Sequence, residues 1–373
     1  MPDFKDTTPF VLKNHFNAEL VAEMVDAFAD AWPAFAKAAF RKTALQGLDQ
    51  LEFSGRTRHL AAALRSHLPE DVPEALDILV AALPPAPEGE EVRIHDHWWL
   101  WPLGDFIRDY GGDHFEASMA ACYELTQRFS AEFGIRPSLA AEPKKGLERL
   151  LHWTADPNLH VRRLASEGSR PRLPWASRLD LPRPAVVRIL TALRDDPALY
   201  VRRSVANHLN DLGKDDPEWL VELLGKWQRG AKPKRLWVIR HALRNHIKQG
   251  HPGALALLGF GNAKLAEVNL EISPKLVPLG ETLVLVFSAK NASKDRAPLL
   301  VDFSIHYQKA NGTLSKKVFK WTEREVAPGE TLELTKKLTM VHRSTRVLHP
   351  GEHRAEVQIN GEIFAAEGFA LQF

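Results

Sequence analysis

Apolar residues recur at three- and four-residue spacing near the start of the chain: Phe16, Leu20, Val21, Met24, Val25, Phe28, Trp32 and Phe35. That spacing places them on one helical face and predicts helices over residues 11–80. Residues 84–91, Pro-Pro-Ala-Pro-Glu-Gly-Glu-Glu, cannot continue a helix and predict a loop. The helical pattern resumes from about His95 to Arg136 and again to about Leu258. Gly259-Phe-Gly261 ends it. From Glu267 onward the period changes to two: Val268, Leu270, Ile272; Leu283, Leu285, Phe287; Val301, Phe303, Ile305, Tyr307; Leu332, Leu334, Leu338; Val357, Ile359. Alternation predicts half-buried strands. Asn311-Gly312 and Asn360-Gly361 favour tight hairpins, because both turn residues tolerate positive φ.

The helical part repeats itself. Asp156-Pro-Asn-Leu-His-Val-Arg-Arg-Leu-Ala-Ser-Glu167 is followed forty residues on by Asp196-Pro-Ala-Leu-Tyr-Val-Arg-Arg-Ser-Val-Ala-Asn207. A looser copy, residues 239–247, matches residues 201–209 thirty-eight residues on. A period near forty is that of two-helix HEAT-type units, which bury their apolar stripes only against neighbours. The fold class expected is therefore mainly α: a HEAT-like solenoid over residues 1–260. An all-β, immunoglobulin-like sandwich over residues 266–373 follows it, expected on about seven short strands.

Composition narrows the class. One cysteine, Cys122, excludes an internal disulfide framework and a cysteine-type zinc site, and suits a reducing compartment. No apolar run is long enough for a transmembrane helix, and the first residues carry no apolar signal segment. The net charge of +2 conceals a basic block: residues 141–250 hold 22 Lys and Arg against 12 Asp and Glu. Arginines recurring at equivalent repeat positions point to a phosphate backbone; a solvated helical face is the plainer alternative. No phosphate-binding glycine loop, nucleophile elbow or His-Glu-x-x-His motif is present. Three tryptophans within His95-Asp-His-Trp-Trp-Leu-Trp101 read as a packing core, and a metal on His95 and His97 as the minor alternative.

Within the basic block stand a few carboxylates. Glu167, Asn207 and Asn245 share one repeat position, and Asp211 lies one helical turn beyond Asn207. Glu132 sits among apolar neighbours, where a carboxylate is desolvated or paired. Ion pairing of Glu167 with Arg163, or of Asp211 with Lys214, is the structural alternative to catalysis. Gly168 and two prolines break the helix before Trp175, so that Trp175 lies either on a basic loop, suited to stacking, or in the core between repeats.

These residues resemble the AlkC branch of the AlkC/AlkD alkylpurine DNA glycosylases, over about residues 1–260. The marks are Phe129-Ser-Ala-Glu-Phe-Gly-Ile-Arg-Pro137, Arg162-Arg-Leu-Ala-Ser-Glu-Gly-Ser-Arg-Pro-Arg-Leu-Pro-Trp175 and Val201-Arg-Arg-Ser-Val-Ala-Asn-His-Leu-Asn-Asp211. Some AlkC members carry an immunoglobulin-like domain after the repeats, which fits residues 266–373. Trp101-x-x-x-Asp105 is similar to the Trp/Asp pair of the AlkD branch, whereas His241 stands where AlkD-like proteins place a tryptophan.

The resemblance implies hydrolytic excision of cationic bases, 3-methyladenine and 3-methylcytosine, from duplex DNA, without strand cleavage, cofactor or metal. It implies Glu132, Glu167 and Asp211 as the acidic set and Trp175 as a wall of the site. Arg162, Arg163, Arg170, Arg172, Arg202, Arg203 and Arg240 are expected on phosphates, with Asn207, His241 and Arg244 beside them. The C-terminal domain is expected to act as an accessory DNA clamp through Lys316, Lys317, Lys320, Arg343 and Arg346, or alternatively as a stabilising or protein-binding module. A monomer in the cytoplasm, on the nucleoid when bound to DNA, completes the expectation. The competing one is a non-catalytic repeat scaffold that binds nucleic acid or protein.

Overall fold

The computed structural model describes residues 11–87, 97–343 and 345–373. The chain divides into two compact units, Met1–Leu212 with Lys232–Val238, and Gly213–Ala231 with Ile239–Phe373. His95 lies outside the described residues.

In the first unit the helices begin with Ala18–Ala31, whose first turn is capped by the Asn17 side chain accepting from the Glu19 and Leu20 amides. Lys37–Leu45, Phe53–Arg65 and Val72–Ala81 follow, as the spacing predicts. Phe53–Arg65 packs on Trp101–Tyr110, and Val72–Ala81 on Phe115–Thr126. Phe16, Phe28, Phe40, Leu60 and Phe106 are wholly buried between them.

The repeat proper consists of two helix pairs, Pro143–Trp153 with Leu159–Glu167, and Arg183–Leu193 with Leu199–Gly213. The residues that recur in register build the turn inside each pair. The Asp156 carboxylate accepts from the Asn158 amide at 2.8 Å, and the Asp196 carboxylate from the Ala198 amide at 2.8 Å. Arg162 folds back onto the Asp156 and Pro157 carbonyls, both at 2.9 Å, and Arg202 onto those of Asp196 (2.6 Å) and Pro197 (2.8 Å). Arg162 also grips the Asp196 carboxylate, Nε to Oδ2 at 2.6 Å, tying one pair to the next. The first arginine of each pair is thus inward-facing, with Arg202 buried. This corrects the expectation that Arg162 and Arg202 hold phosphates: their donors satisfy carbonyls that the Asp-Pro turn leaves without helix partners.

Among the described residues the second unit contains the helix Pro217–Gln228, the short helices Arg244–Lys248 and Pro252–Leu257, and eight strands. These are β1 (Leu265–Ser273), β2 (Leu276–Pro278), β3 (Thr282–Asn291), β4 (Ala297–Gln308), β5 (Leu314–Val326), β6 (Thr331–Thr339), β7 (Gly351–Ile359) and β8 (Glu362–Gln372). They form two sheets, β1-β3-β6 and β2-β8-β7-β4-β5, antiparallel throughout except for β2 beside β8. Leu283, Leu285 and Phe287 of one sheet share a core with Val301, Phe303, Ile305 and Val357 of the other. The strand β5 escapes the alternation rule, because this edge strand is largely exposed and carries lysines and glutamates. Asn360 and Gly361 both take positive φ, 48° and 88°, and close the β7–β8 hairpin as the dipeptide predicts.

Candidate active site

Five charged side chains of the first unit form a continuous ladder. Arg163 Nη1 donates to Glu132 Oε2 at 2.5 Å and to Ser130 Oγ at 2.8 Å. Its Nη2 lies 3.5 Å from Glu167 Oε1. The same Glu167 oxygen accepts from Arg170 Nη1 at 2.6 Å. Arg170 then reaches Asp211 Oδ2 through Nε (2.9 Å) and Nη2 (2.7 Å). Three carboxylates are held by two guanidiniums, so the five groups together carry a charge of −1.

Local sequence sets this geometry. Arg163 and Glu167 are four apart on one helix, hence on one face. Gly168 ends that helix, and a β-carbon there would sit 2.6 Å from Ile135 Cγ2. Glycine therefore lets the helix end close on the 131–135 turn, bringing Glu167 toward Glu132. The chain bends at once, and Arg170 swings back under Glu167.

Burial grades the ladder. Asp211 and Glu167 are buried, whereas the Glu132 side chain keeps 16% of its surface. Burial pushes the Glu167 carboxyl upward, but the charges of Arg163 and Arg170 outweigh it and hold its pKa below the ordinary value. Arg163 is likewise kept protonated: burial disfavours its charge, and Glu132 and Glu167 more than compensate. Beneath the ladder His208 is wholly buried, its Nδ1 3.0 Å from the Ser166 carbonyl, and burial brings its pKa down to about 4. Its imidazole is neutral at physiological pH.

Phe133, next in sequence to Glu132, lines an aromatic cleft. Phe133 stacks on Trp101 at 6.3 Å between ring centroids, and Phe53 meets Trp101 edge-on at 4.9 Å. With Trp175, Thr57 and Arg58 these residues line a cleft of about 400 Å³. Trp175 is 80% exposed and takes φ of 65°, so the loop presents it outward and the alternative of a core plug is excluded. Three carbonyls fix that loop: Arg136 Nη1 donates to Gly168 (3.2 Å) and Arg170 (2.8 Å), and Nη2 to Ser177 (2.6 Å). Asp105 lines the cleft yet is buried and paired with Arg108; burial outweighs Thr57 and Arg108 and raises its pKa.

The remaining expected residues divide by environment. Arg163 and Arg170 belong to the ladder, a correction to their expected place on phosphates: both are largely buried between carboxylates. Arg172 and Arg203 are exposed, and Asn207 is half-buried on the helix that carries Asp211. Arg240, His241 and Arg244 belong to the second unit, where Arg240 pairs with Glu323 and Arg244 donates to the His241 carbonyl at 2.8 Å. In the sandwich Lys316 pairs with Glu356 (3.0 Å) and Lys320 with Glu323 (2.6 Å). Arg346 lies over the Tyr307 ring, while Arg343 and Lys317 are exposed. Pairing thus occupies much of the expected clamp. Sequence reasoning passed over Phe53, Arg58 and Arg136; Arg136 stood inside a quoted motif, whereas nothing distinguishes Arg58 among neighbouring basic residues. Among the described residues no helix is long and apolar enough to cross a membrane.

Comparison with known proteins bears on this arrangement. Residues 126–245, which span the ladder, match the family model described as DNA alkylation repair enzyme. Residues 266–373 match the model described as the C-terminal Ig-like domain of uncharacterised protein YhaZ. The chain is 36% identical to uncharacterized protein YhaZ of Bacillus subtilis (strain 168) over 358 residues, 94% of this chain and 97% of that protein. It is also 36% identical to the alkylpurine DNA glycosylase AlkC of Pseudomonas fluorescens, solved bound to DNA containing an abasic site analog. That structure superposes with a TM-score of 0.88 over 98% of this chain and 100% of its own. With a helical alkylation-repair part, a C-terminal Ig-like domain and this full-length match, the chain belongs to the AlkC family of DNA alkylation repair enzymes.

Proposed function

We propose that the protein is a DNA glycosylase that hydrolyses the N-glycosidic bond of cationic N3-alkylated bases, 3-methyladenine and 3-methylcytosine, in duplex DNA. The observation that carries this reading is the ladder: a net negative charge built into the fold and open to solvent at Glu132. A base alkylated on a ring nitrogen is already positively charged, so its departure needs no general acid. As the C1′–N bond breaks, its electron pair neutralises the base and positive charge passes to the sugar. A fixed negative field opposite that sugar lowers the barrier. Glu132, the most accessible of the three, orients the water that attacks C1′ and takes its proton. Glu167 and Asp211, locked by Arg163 and Arg170, hold the field without reorganising.

Trp175, exposed on the loop that follows the Glu167 helix, packs against the lesion nucleotide, and Arg203 and Arg172 meet phosphates from the outer surface. The chemistry ends at an abasic site, since no lysine stands in the ladder to attack C1′. Residues 1–260 supply this activity and residues 266–373 assist DNA binding as a monomeric enzyme. Release of free 3-methyladenine from alkylated duplex, with no added metal or cofactor, tests the reading. Absence of released methylated base after prolonged incubation, by a protein that still binds the duplex, would favour a repeat scaffold instead.

A further inference from the structure

A second pocket, of about 280 Å³, shares Phe133 and Trp175 with the aromatic cleft. Arg58, Arg108, Arg136 and Arg178 line it, and among its lining residues there is no carboxylate. Two of these cations already have partners: Arg108 pairs with Asp105 and Asp109, and Arg178 with Asp180 at 2.8 Å. The other two differ. Arg58 is exposed, and Asp105, the carboxylate that feels its charge, is engaged by Arg108.

Arg136 is buried to 7% exposure, and its hydrogen bonds go to the neutral carbonyls of Gly168, Arg170 and Ser177. Burial, with Arg170 nearby, brings its pKa down to about 10, so it remains a cation at physiological pH. A buried cation held only by neutral groups is incompletely compensated, and an anion docked beside it restores the balance. Trp175 and Phe133 add flat apolar walls, which suit a nucleoside more than a bare ion.

We propose that this pocket is a phosphate subsite, in which Arg58 and Arg136 receive a backbone phosphodiester while the attached nucleoside lies against Trp175 and Phe133. The assignment rests on the reading of the protein as DNA-binding. It adds to that reading a contact made by the N-terminal helices, away from the arginine repeats. It also gives the loop that carries Trp175 a second task, since Arg136 fixes the loop and faces the phosphate through one side chain.

The full-length chain and its Arg58→Gln and Arg58→Lys variants test this by DNA affinity across a salt series on an undamaged duplex. Losing one phosphate contact lowers the slope of log K against log salt by about 0.9. Arg58→Gln is expected to show that fall and Arg58→Lys to restore it, both melting like the parent because the side chain is exposed. Titration with thymidine 3′,5′-bisphosphate and with inorganic phosphate separates the sources. The bisphosphate should bind more tightly, and Arg58→Gln should lose that preference. An unchanged salt slope would overturn the subsite, as would equal binding of the two probes. Excision is read separately: a reduced slope in a protein that releases no methylated base would keep the subsite and remove the glycosylase reading.

Discussion

Arg170 meets Asp211 with two donors on a single carboxylate oxygen, Nε at 2.9 Å and Nη2 at 2.7 Å, while its third donor holds Glu167 at 2.6 Å. One buried guanidinium thus joins the end of one repeat helix to the next. Removing it leaves buried carboxylates short of counter-charge, which typically costs about 3–5 kcal/mol. Arg170→Met should lose that much stability in urea unfolding. Arg170→Lys should recover little, because an ammonium cannot span both carboxylates as a planar fork does. A methionine variant as stable as the parent would show that the ladder is not a structural element.

The two arginines of each repeat copy should separate cleanly. Arg162 binds carbonyls and the Asp196 carboxylate, whereas Arg203 is exposed. Arg162→Gln is expected to lower the melting temperature and leave the salt dependence of DNA binding untouched. Arg203→Gln should do the opposite, reducing the slope of log K against log salt by about 0.9 at constant melting temperature. Equal salt slopes for parent and Arg203→Gln would remove Arg203 from the DNA surface.

Trp175 combines 80% exposure with a left-handed backbone at φ of 65°. A residue with a side chain pays roughly 1–2 kcal/mol for that conformation, and glycine does not. Trp175→Gly should therefore unfold within about 1 kcal/mol of the parent, since relief of backbone strain offsets lost contacts and a freer unfolded chain. Single-turnover excision should nevertheless fall on the order of tenfold to a hundredfold, the worth of one stacking contact. Retained excision would leave the tryptophan without a part in lesion binding.

Much of this was legible in the sequence because local rules govern it. Of the three- and four-residue spacing from Phe16 to Phe35, Leu20, Val21, Met24 and Phe28 became the buried face of the helix Ala18–Ala31, while Phe16, Trp32 and Phe35 lie outside it, and the alternation of β3 and β4 became a shared core. The pairing of Glu167 with Arg163 was legible from their four-residue spacing, whereas the bridge from Arg170 to Asp211 was not, since those two meet across 41 residues of chain. The repeated arginines misled for a physical reason. A residue kept in register within a repeat reports whatever each unit needs, and here the first arginine of each pair is needed by the Asp-Pro turn. Arg58 and Phe53 remained hidden because a cleft wall assembled from distant helices leaves no spacing signal.

His208 gives the protein a pH signature of definite sign. Its pKa is about 4 in the fold against 6.5 unperturbed, so protonation favours the unfolded chain. The contribution is fully present above pH 6.5 and is lost as pH falls toward 4, in all about 3 kcal/mol. Asp302, raised to about 6 by burial, acts in the opposite direction, gaining stability as pH falls below 6. The difference between parent and His208→Asn therefore isolates the histidine. Urea unfolding at pH 7 and pH 4.5 should show a smaller loss in the variant. Identical losses would mean that His208 titrates normally.

The central claim is that a preorganised negative field, open to solvent at Glu132, drives loss of a cationic base. The most direct measurement is single-turnover release of 3-methyladenine from duplex DNA by Glu132→Gln, set beside its affinity for the same duplex. Removing one charge aimed at the reacting sugar should slow release on the order of a hundredfold, while affinity holds within about threefold of the parent. Release at the parental rate by a variant that binds DNA normally would contradict the account.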